Sequence, residues 1–298
     1  MHLRKPLALV ASLAALSLAS QTAIAQPAVG PVLVFHRTAG FAHPSIPAGV
    51  AAIKTLGAQN GFTVDDTVDP AAFTPSNLAK YKALIFLSTT GDVLPEPAQR
   101  AALEGYIKAG GGYLGIHAAS DMGKVRDNWP WYRDLVGASF KGHTAVKIYS
   151  DKPLPERAAA MGMSVSGPLA AAPADADGTT ESGIKTTSWE PAVLKVEDRA
   201  SPLVAGWGAS VTRSDEWYGF TATPRPKVHV VASVDEATYN PAAGKMGDHP
   251  IVWCHAYDGG RSVYTGLGHP TASWSDPQML AHVLGGIRLA AGSAPFRC

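Results

Sequence analysis

The stretch GGGYLGIHAASD, residues 110–121, decides how the rest of the chain is read. A glycine run gives way to a short apolar segment, and the segment ends at Gly115, Ile116 and His117 before a run of small residues. A buried strand that turns sharply into a helix is how many α/β enzymes present a nucleophilic Ser or Cys. Here His117 stands at that turn. An imidazole there is suited to acid–base work or to holding a metal rather than to covalent attack.

Working outward, PVLVFH (31–36), FTVDDT (62–67) and YKALIFLST (81–89) read as strands. SIPAGVAAIKTLGAQNG (45–61) and PEPAQRAALEGYIKAGGG (95–112) read as helices, the first closed by Gly61 and the second opened by proline. Strand and helix alternating at this spacing predict βαβ units, hence an α/β fold with a parallel sheet. Further on, KVHVVASV (227–234), HPIVWCHAY (249–257) and RSVYTGLG (261–268) read as strands, the last two joined through the hairpin signal DGG. DPQMLAHVLGGIRLAAG (276–292) reads as a final helix, with Asp276 as N-cap and Pro277 at its first position.

Composition bounds the function. Of 298 residues, 46% are hydrophobic and 16% charged, which is ordinary for a protein with a sizeable core. The net charge is +1 without a basic run, so no nucleic-acid partner is expected. Arg4 and Lys5, the apolar run Leu7–Ala19 and the sequence Ala23-Ile24-Ala25 have the form of a secretory signal peptide, residues 1–25, cut after Ala25. The expected product is secreted or periplasmic, a single domain over 26–298 with no membrane insertion after cleavage. Two cysteines, Cys254 and Cys298, are compatible with a disulfide or with two separate thiols. Residues 151–190, rich in Ala, Gly, Pro and Ser, read as a mobile surface insertion.

The unusual polar residues fall just after predicted strands. His43 follows the first, Asp92 follows LIFLST, His117 and Asp121 follow YLGI, and His269 and Trp274 follow VYTGLG. The carboxyl ends of parallel strands lie along one edge of a sheet, where ligands bind, so these loops should converge. His143 follows a helix-like WYRDLVGA and a glycine. In SDEWYGF, read as a strand, Glu216 and Tyr218 face one way while Asp215 and Trp217 face the other; aromatics beside carboxylates suit sugar binding. Serine and cysteine hydrolase motifs are absent, as are a dinucleotide fingerprint and a P-loop, so no nucleotide cofactor is expected.

RTAGFAHPSI, LIFLSTTGD, GGGYLGIHAASD, WYRDLVGASFKGH, DEWYGF, HPIVWCHAYDGGRSVYTGLGH and HVLGGIRLA occur in order from about residue 37 to 290. With these stretches the chain resembles the ThuA-like (trehalose-utilisation) family, within the class I glutamine amidotransferase-like superfamily. The resemblance implies a flavodoxin-like three-layer sandwich around a mainly parallel central sheet. It also implies that His117 replaces the superfamily's cysteine nucleophile, so glutaminase activity is not expected. The insertion is longer than in relatives, and residues between His143 and Asp215 correspond poorly.

The family is linked to disaccharide use, often beside dehydrogenases that make 3-keto sugars. The resemblance therefore implies a lyase or hydrolase acting on glycosides, 3-keto glycosides among them. A 3-keto group acidifies the proton on C2, and a base near neutrality can remove it. In this reading His117, Asp121, His143 and His269 are catalytic, with Asp121 orienting His117. His117, His143 and His269 are the metal-ligand candidates for a divalent ion, Zn²⁺ or Mn²⁺. His43, Asp92, Glu216, Trp217, Tyr218 and Trp274 would bind a small carbohydrate. Two alternatives are a non-catalytic carbohydrate-binding protein and a metal-dependent hydrolase of another small polar substrate. Expression with the native leader should yield a mature protein whose N-terminal sequencing starts at Gln26; a product still starting at Met1 in the exported fraction would refute the cleavage.

Overall fold

The computed structural model describes residues 27–123, 125–143, 148–149, 185–186, 191–239 and 244–298. The segment read as a signal peptide and all of the 151–190 insertion except Lys185–Thr186 lie outside them. In chain order the strands are β1 Val32–Phe35, β2 Val64–Thr67, β3 Ala83–Leu87, β4 Gly112–Ile116, β5 Phe140–His143, β6 Ile148–Tyr149 and β7 Lys185–Thr186. They continue as β8 Pro191–Val196, β9 Ser210–Ser214, β10 Tyr218–Phe220, β11 His229–Val234, β12 Pro250–Tyr257 and β13 Gly260–Thr265. The helices are α1 Ile46–Asn60, α2 Pro75–Leu78, α3 Pro97–Lys108, α4 Val125–Asn128, α5 Pro130–Val136 and α6 Pro277–Ala291.

Nine strands form one sheet in the order β2-β1-β3-β4-β13-β12-β11-β8-β9. From β2 to β13 every pairing is parallel. From β13 to β9 every pairing is antiparallel. The α/β class and the flavodoxin-like layering are as the sequence predicts, with the parallel part carrying an antiparallel extension. All residues of β1, β3 and β4 are buried, so both faces of the parallel part are covered and helices form the outer layers. The outermost strands, β2 and β9, are half exposed, as edges usually are. Two short pairs, β10 with β5 and β6 with β7, lie outside the main sheet.

Local chemistry explains the boundaries. Helix α1 stops where Gly61 adopts φ +71, a conformation that side chains with a Cβ resist. Asp276 caps α6 by accepting the Gln278 N–H, and Arg213 grips the same carboxylate from β9. The β12–β13 hairpin turns on Asp258 and Gly259, both at positive φ. Helix α6 crosses β4 so closely that a Cβ on Gly112 would collide with the carbonyl of Ala290. Among the described residues, no helix is long and apolar enough to cross a membrane.

Cys254 on β12 and Cys298 form a disulfide, with Cα atoms 5.4 Å apart. The bridge joins positions 44 apart in the sequence and ties Cys298 to the core strand β12. In the chain-entropy picture a loop of that size stabilises by up to about 4 kcal/mol. Cys298→Ser should therefore lower the unfolding free energy by about 2–4 kcal/mol in urea titrations, and dithiothreitol should lower wild type to the same level; a variant as stable as wild type would show that the bridge does not constrain the unfolded chain.

Candidate metal centre

Four loops bring their polar residues to one point. His117 opens a 3-10 turn, His117–Ser120, directly after β4. Its φ is +51, and Ser88 at the end of neighbouring β3 has φ +47. Such angles cost a non-glycine residue roughly 1–2 kcal/mol and persist only where the surroundings enforce them. Here the enforcement is visible. The Tyr264 hydroxyl donates to the His117 carbonyl at 2.7 Å, and the Ser88 N–H donates to the Ile116 carbonyl at 3.1 Å.

The His117 side chain is fully buried, with Nδ1 2.9 Å from the Gly266 carbonyl oxygen. A carbonyl can only accept, so Nδ1 carries a proton, and the neutral ring has its lone pair on Nε2. Nε2 lies 3.0 Å from His269 Nδ1 and 3.4 Å from Glu216 Oε2. His269 Nδ1 is 2.8 Å from the same carboxylate oxygen. His43 completes the group, its ring edge-on to those of His117 and His269 with both centroid separations 4.9 Å. One ligand atom from each of His43, His117, Glu216 and His269 lies within 4.8 Å of the others, and all four residues are buried.

The loop bearing His269 is held by Asp215. Its carboxylate accepts the N–H groups of Gly268 and His269 at 2.9 and 3.1 Å and the N–H of Glu216 at 2.9 Å. The Gly268 carbonyl accepts from Trp274 Nε1 and from the Ser45 hydroxyl. Gly268 itself sits at φ +117, which a side chain would make costly. Tyr218 packs its ring against His117 at 4.3 Å, and Phe140 packs behind Tyr218 at 4.1 Å.

Electrostatics follow from burial. Burial raises the Glu216 carboxyl, but the His117 and His269 rings beside it outweigh burial and hold the group well below the usual carboxylate range. Burial, reinforced by the neighbouring His117 and His269, pushes His43 down to about 2. Burial raises Asp215 and Asp121. The centre thus pairs a carboxylate that stays ionised with a histidine that stays neutral, both in the form that binds a cation.

The donor set fits a first-row divalent ion. Metal–ligand bonds of about 2.0–2.1 Å in a tetrahedron put neighbouring donors about 3.3 Å apart. The three observed separations among His117 Nε2, His269 Nδ1 and Glu216 Oε2 are 3.0, 3.4 and 2.8 Å. His43 Nδ1 is buried without a hydrogen-bond partner, a cost that a ligand in this space would relieve. The Gly266 carbonyl behind His117 fixes the tautomer, as partners of metal-bound histidines do.

The structure redistributes the roles read from sequence. His117 and His269 come together as expected, and His43 and Glu216, expected to bind substrate, lie beside them as candidate ligands. His143 stays outside the donor set: its Nδ1 lies 3.2 Å from the other oxygen of Glu216, and its side chain is 28% exposed. Asp121 does not orient the His117 ring; the Gly266 carbonyl does, because the chain enters a 3-10 turn rather than a helix and Asp121 ends it, accepting the Gly123 N–H. Asp92 is held by Arg100 of α3 at 3.0 Å. Trp217, Tyr218 and Trp274 are buried at 0, 3 and 5% exposure and offer no face to a sugar. The alternation expected in SDEWYGF fails because strand β10 begins only at Tyr218.

With this geometry in hand, the comparisons carry weight. A family model described as "Trehalose utilisation", ThuA, matches residues 31–290. The chain belongs to the ThuA family. Among solved structures, a putative ThuA-like protein from Bacteroides uniformis matches with a TM-score of 0.62 and 22% identity, over 90% of this chain and 94% of that one. A putative ThuA-like protein from Parabacteroides merdae matches with a TM-score of 0.58 and 18% identity, over 89% and 90%. At these identities the likeness is one of fold. No curated protein matches the chain.

Acid should loosen the metal-free protein. His43 is lowered from an ordinary value near 6.5 to about 2, so the unfolded chain takes up its proton first as pH falls below about 6.5. The lowered Glu216 acts in the same direction below its ordinary range, while the raised Asp215 opposes it. Between pH 7 and pH 5, urea unfolding of chelator-treated protein should show a loss of about 2 kcal/mol from His43, absent in His43→Phe. Equal pH slopes in the two proteins would show that His43 is not held neutral.

Proposed function

We propose that this protein is a carbohydrate-active lyase or hydrolase that uses a divalent metal held by His43, His117, Glu216 and His269. The observation that carries the reading is the convergence of these four buried donors beneath the strained turn at His117. The substrates we assign are glycosides or disaccharides, with 3-keto glycosides as the reactive form, in keeping with the family's description. The burial of Trp217 and Tyr218 speaks against a binding protein built on those aromatics. The Cys254–Cys298 disulfide supports export to an oxidising compartment.

When bound, the metal supplies a Lewis acid that favours negative charge on a ketone oxygen. The protein's own residues do the rest. Glu216 keeps its charge and neutralises the centre, while Asp215 and the Gly266 carbonyl hold His269 and His117 in place. His143 is the partly exposed imidazole of the group, with Nδ1 3.2 Å from Glu216 Oε1; with a proton on Nδ1, Nε2 carries the lone pair of the neutral ring. We assign His143 Nε2 as the base that takes the proton from C2 of the sugar. The C2–H electrons form the enediolate, the glycosidic oxygen on C1 then departs with its bond pair and takes the proton held by His143, and water adds across the resulting C1=C2 bond, hydroxyl to C1 and proton to C2, to complete net hydrolysis.

Elemental analysis of the mature protein should give close to one divalent ion per chain in wild type and a near-complete loss in His117→Ala and His269→Ala. His143→Ala should keep the ion and lose turnover of 3-keto glycosides by about a hundredfold or more. A wild-type protein that neither retains nor takes up Zn²⁺ or Mn²⁺ would overturn the metal centre. A loaded protein inert on every 3-keto glycoside would overturn the chemistry.

A further inference from the structure

Among the described residues, Phe41 is the most exposed aromatic side chain, at 38%. A single part-exposed phenyl ring is common on protein surfaces; what sets Phe41 apart is a fixed backbone and a ring that adjoins the candidate ligands. The backbone here is fixed. The Thr90 hydroxyl donates to the Phe41 carbonyl at 2.7 Å, and the Ala39 N–H donates to the Thr90 carbonyl at 2.7 Å. Thr38 and Thr90 form a parallel bridge, Thr90 and Asp121 form another, and the Gly91 N–H donates to the Asp121 carbonyl at 2.8 Å. The loops after β1, β3 and β4 are thereby laced into one rim, and Phe41 stands on it.

The position relative to the donors matters most. The Phe41 ring meets the His43 ring edge-on, with centroids 4.8 Å apart. His43 in turn lies 4.9 Å from His117 and from His269. Phe41 is thus at most roughly 10 Å from the other two imidazoles, about the length of a disaccharide. A phenyl ring has no hydrogen-bonding group, but its face suits the C–H-lined face of a pyranose, with the hydroxyls left pointing to water.

We propose that Phe41 is the outer sugar subsite of this enzyme: when one ring of a disaccharide occupies the donor centre, the second ring stacks on Phe41. The inference rests on the carbohydrate reading above and extends it, because it makes the chain selective for disaccharides over single sugars. The loss of one such stacking contact corresponds to a several-fold to tenfold change in affinity.

The experiment is calorimetric titration of wild type, Phe41→Ala and Phe41→Trp, as full mature chains, with trehalose and with methyl α-D-glucopyranoside. Phe41→Ala should bind trehalose about tenfold more weakly, and Phe41→Trp should stay close to wild type. The monosaccharide glycoside should bind all three proteins equally. A trehalose affinity unchanged in Phe41→Ala, or an equal loss for both sugars, overturns the subsite and leaves the carbohydrate reading standing. Wild type binding neither sugar overturns the carbohydrate reading and the subsite with it.

Discussion

A carboxylate removed from water costs several kcal/mol unless partners replace its hydration. Glu216 is 3% exposed, and the partners are three imidazoles: His117 and His269 on one oxygen, His143 on the other. That requirement organises the surrounding structure. His269 reaches the carboxylate only because Asp215 holds two successive N–H groups of its loop. The loop in turn needs glycine at 268, whose carbonyl ties it to Ser45 at the start of α1 and to Trp274 before α6. Two adjacent acids therefore do different work, one charged toward the imidazoles and one bonded to backbone.

The two parts of the sheet meet at this point. The parallel part delivers His43, His117 and His269 at the carboxyl ends of β1, β4 and β13, where parallel sheets place their ligands. The antiparallel extension delivers Asp215 and Glu216 on the connection from β9 to β10. Neither part alone holds a complete set of donors. The left-handed residues Ser88 and His117 lie side by side on adjacent strand ends, so the strain of the fold is concentrated beside the centre it serves.

How much of this was legible in the sequence depended on the range of the interactions. Strands with continuous apolar runs and helices with end signals were readable because their causes are local, and so was the likelihood that strand-end histidines share an edge. His117 and His269 were found in that way. Asp215 was not, since its role consists of hydrogen bonds to residues 53 and 54 positions away. Glu216 reads as a sugar contact because it stands beside two aromatic residues, whereas its place among the imidazoles depends on the fold. Trp217 and Trp274 look like sugar platforms in one dimension; only packing reveals that they are buried. The pairing of the cysteines is illegible for the same reason, since it requires a spatial separation that no spacing encodes.

The donors at 43, 117, 216 and 269 come from four separate loops spread over most of the described chain. A chain that has assembled only β1 to β4 holds two of the four, and the rest arrive when the β12–β13 hairpin docks against β4 and the β9–β10 connection folds over it. Such non-local closure comes late in folding. Tight capture of an ion by these residues would have to wait for it, since unfolded ligands bind weakly. An ion held by these four residues would then be selected by the metal supply where the chain finishes folding, more than by the intrinsic order of affinities.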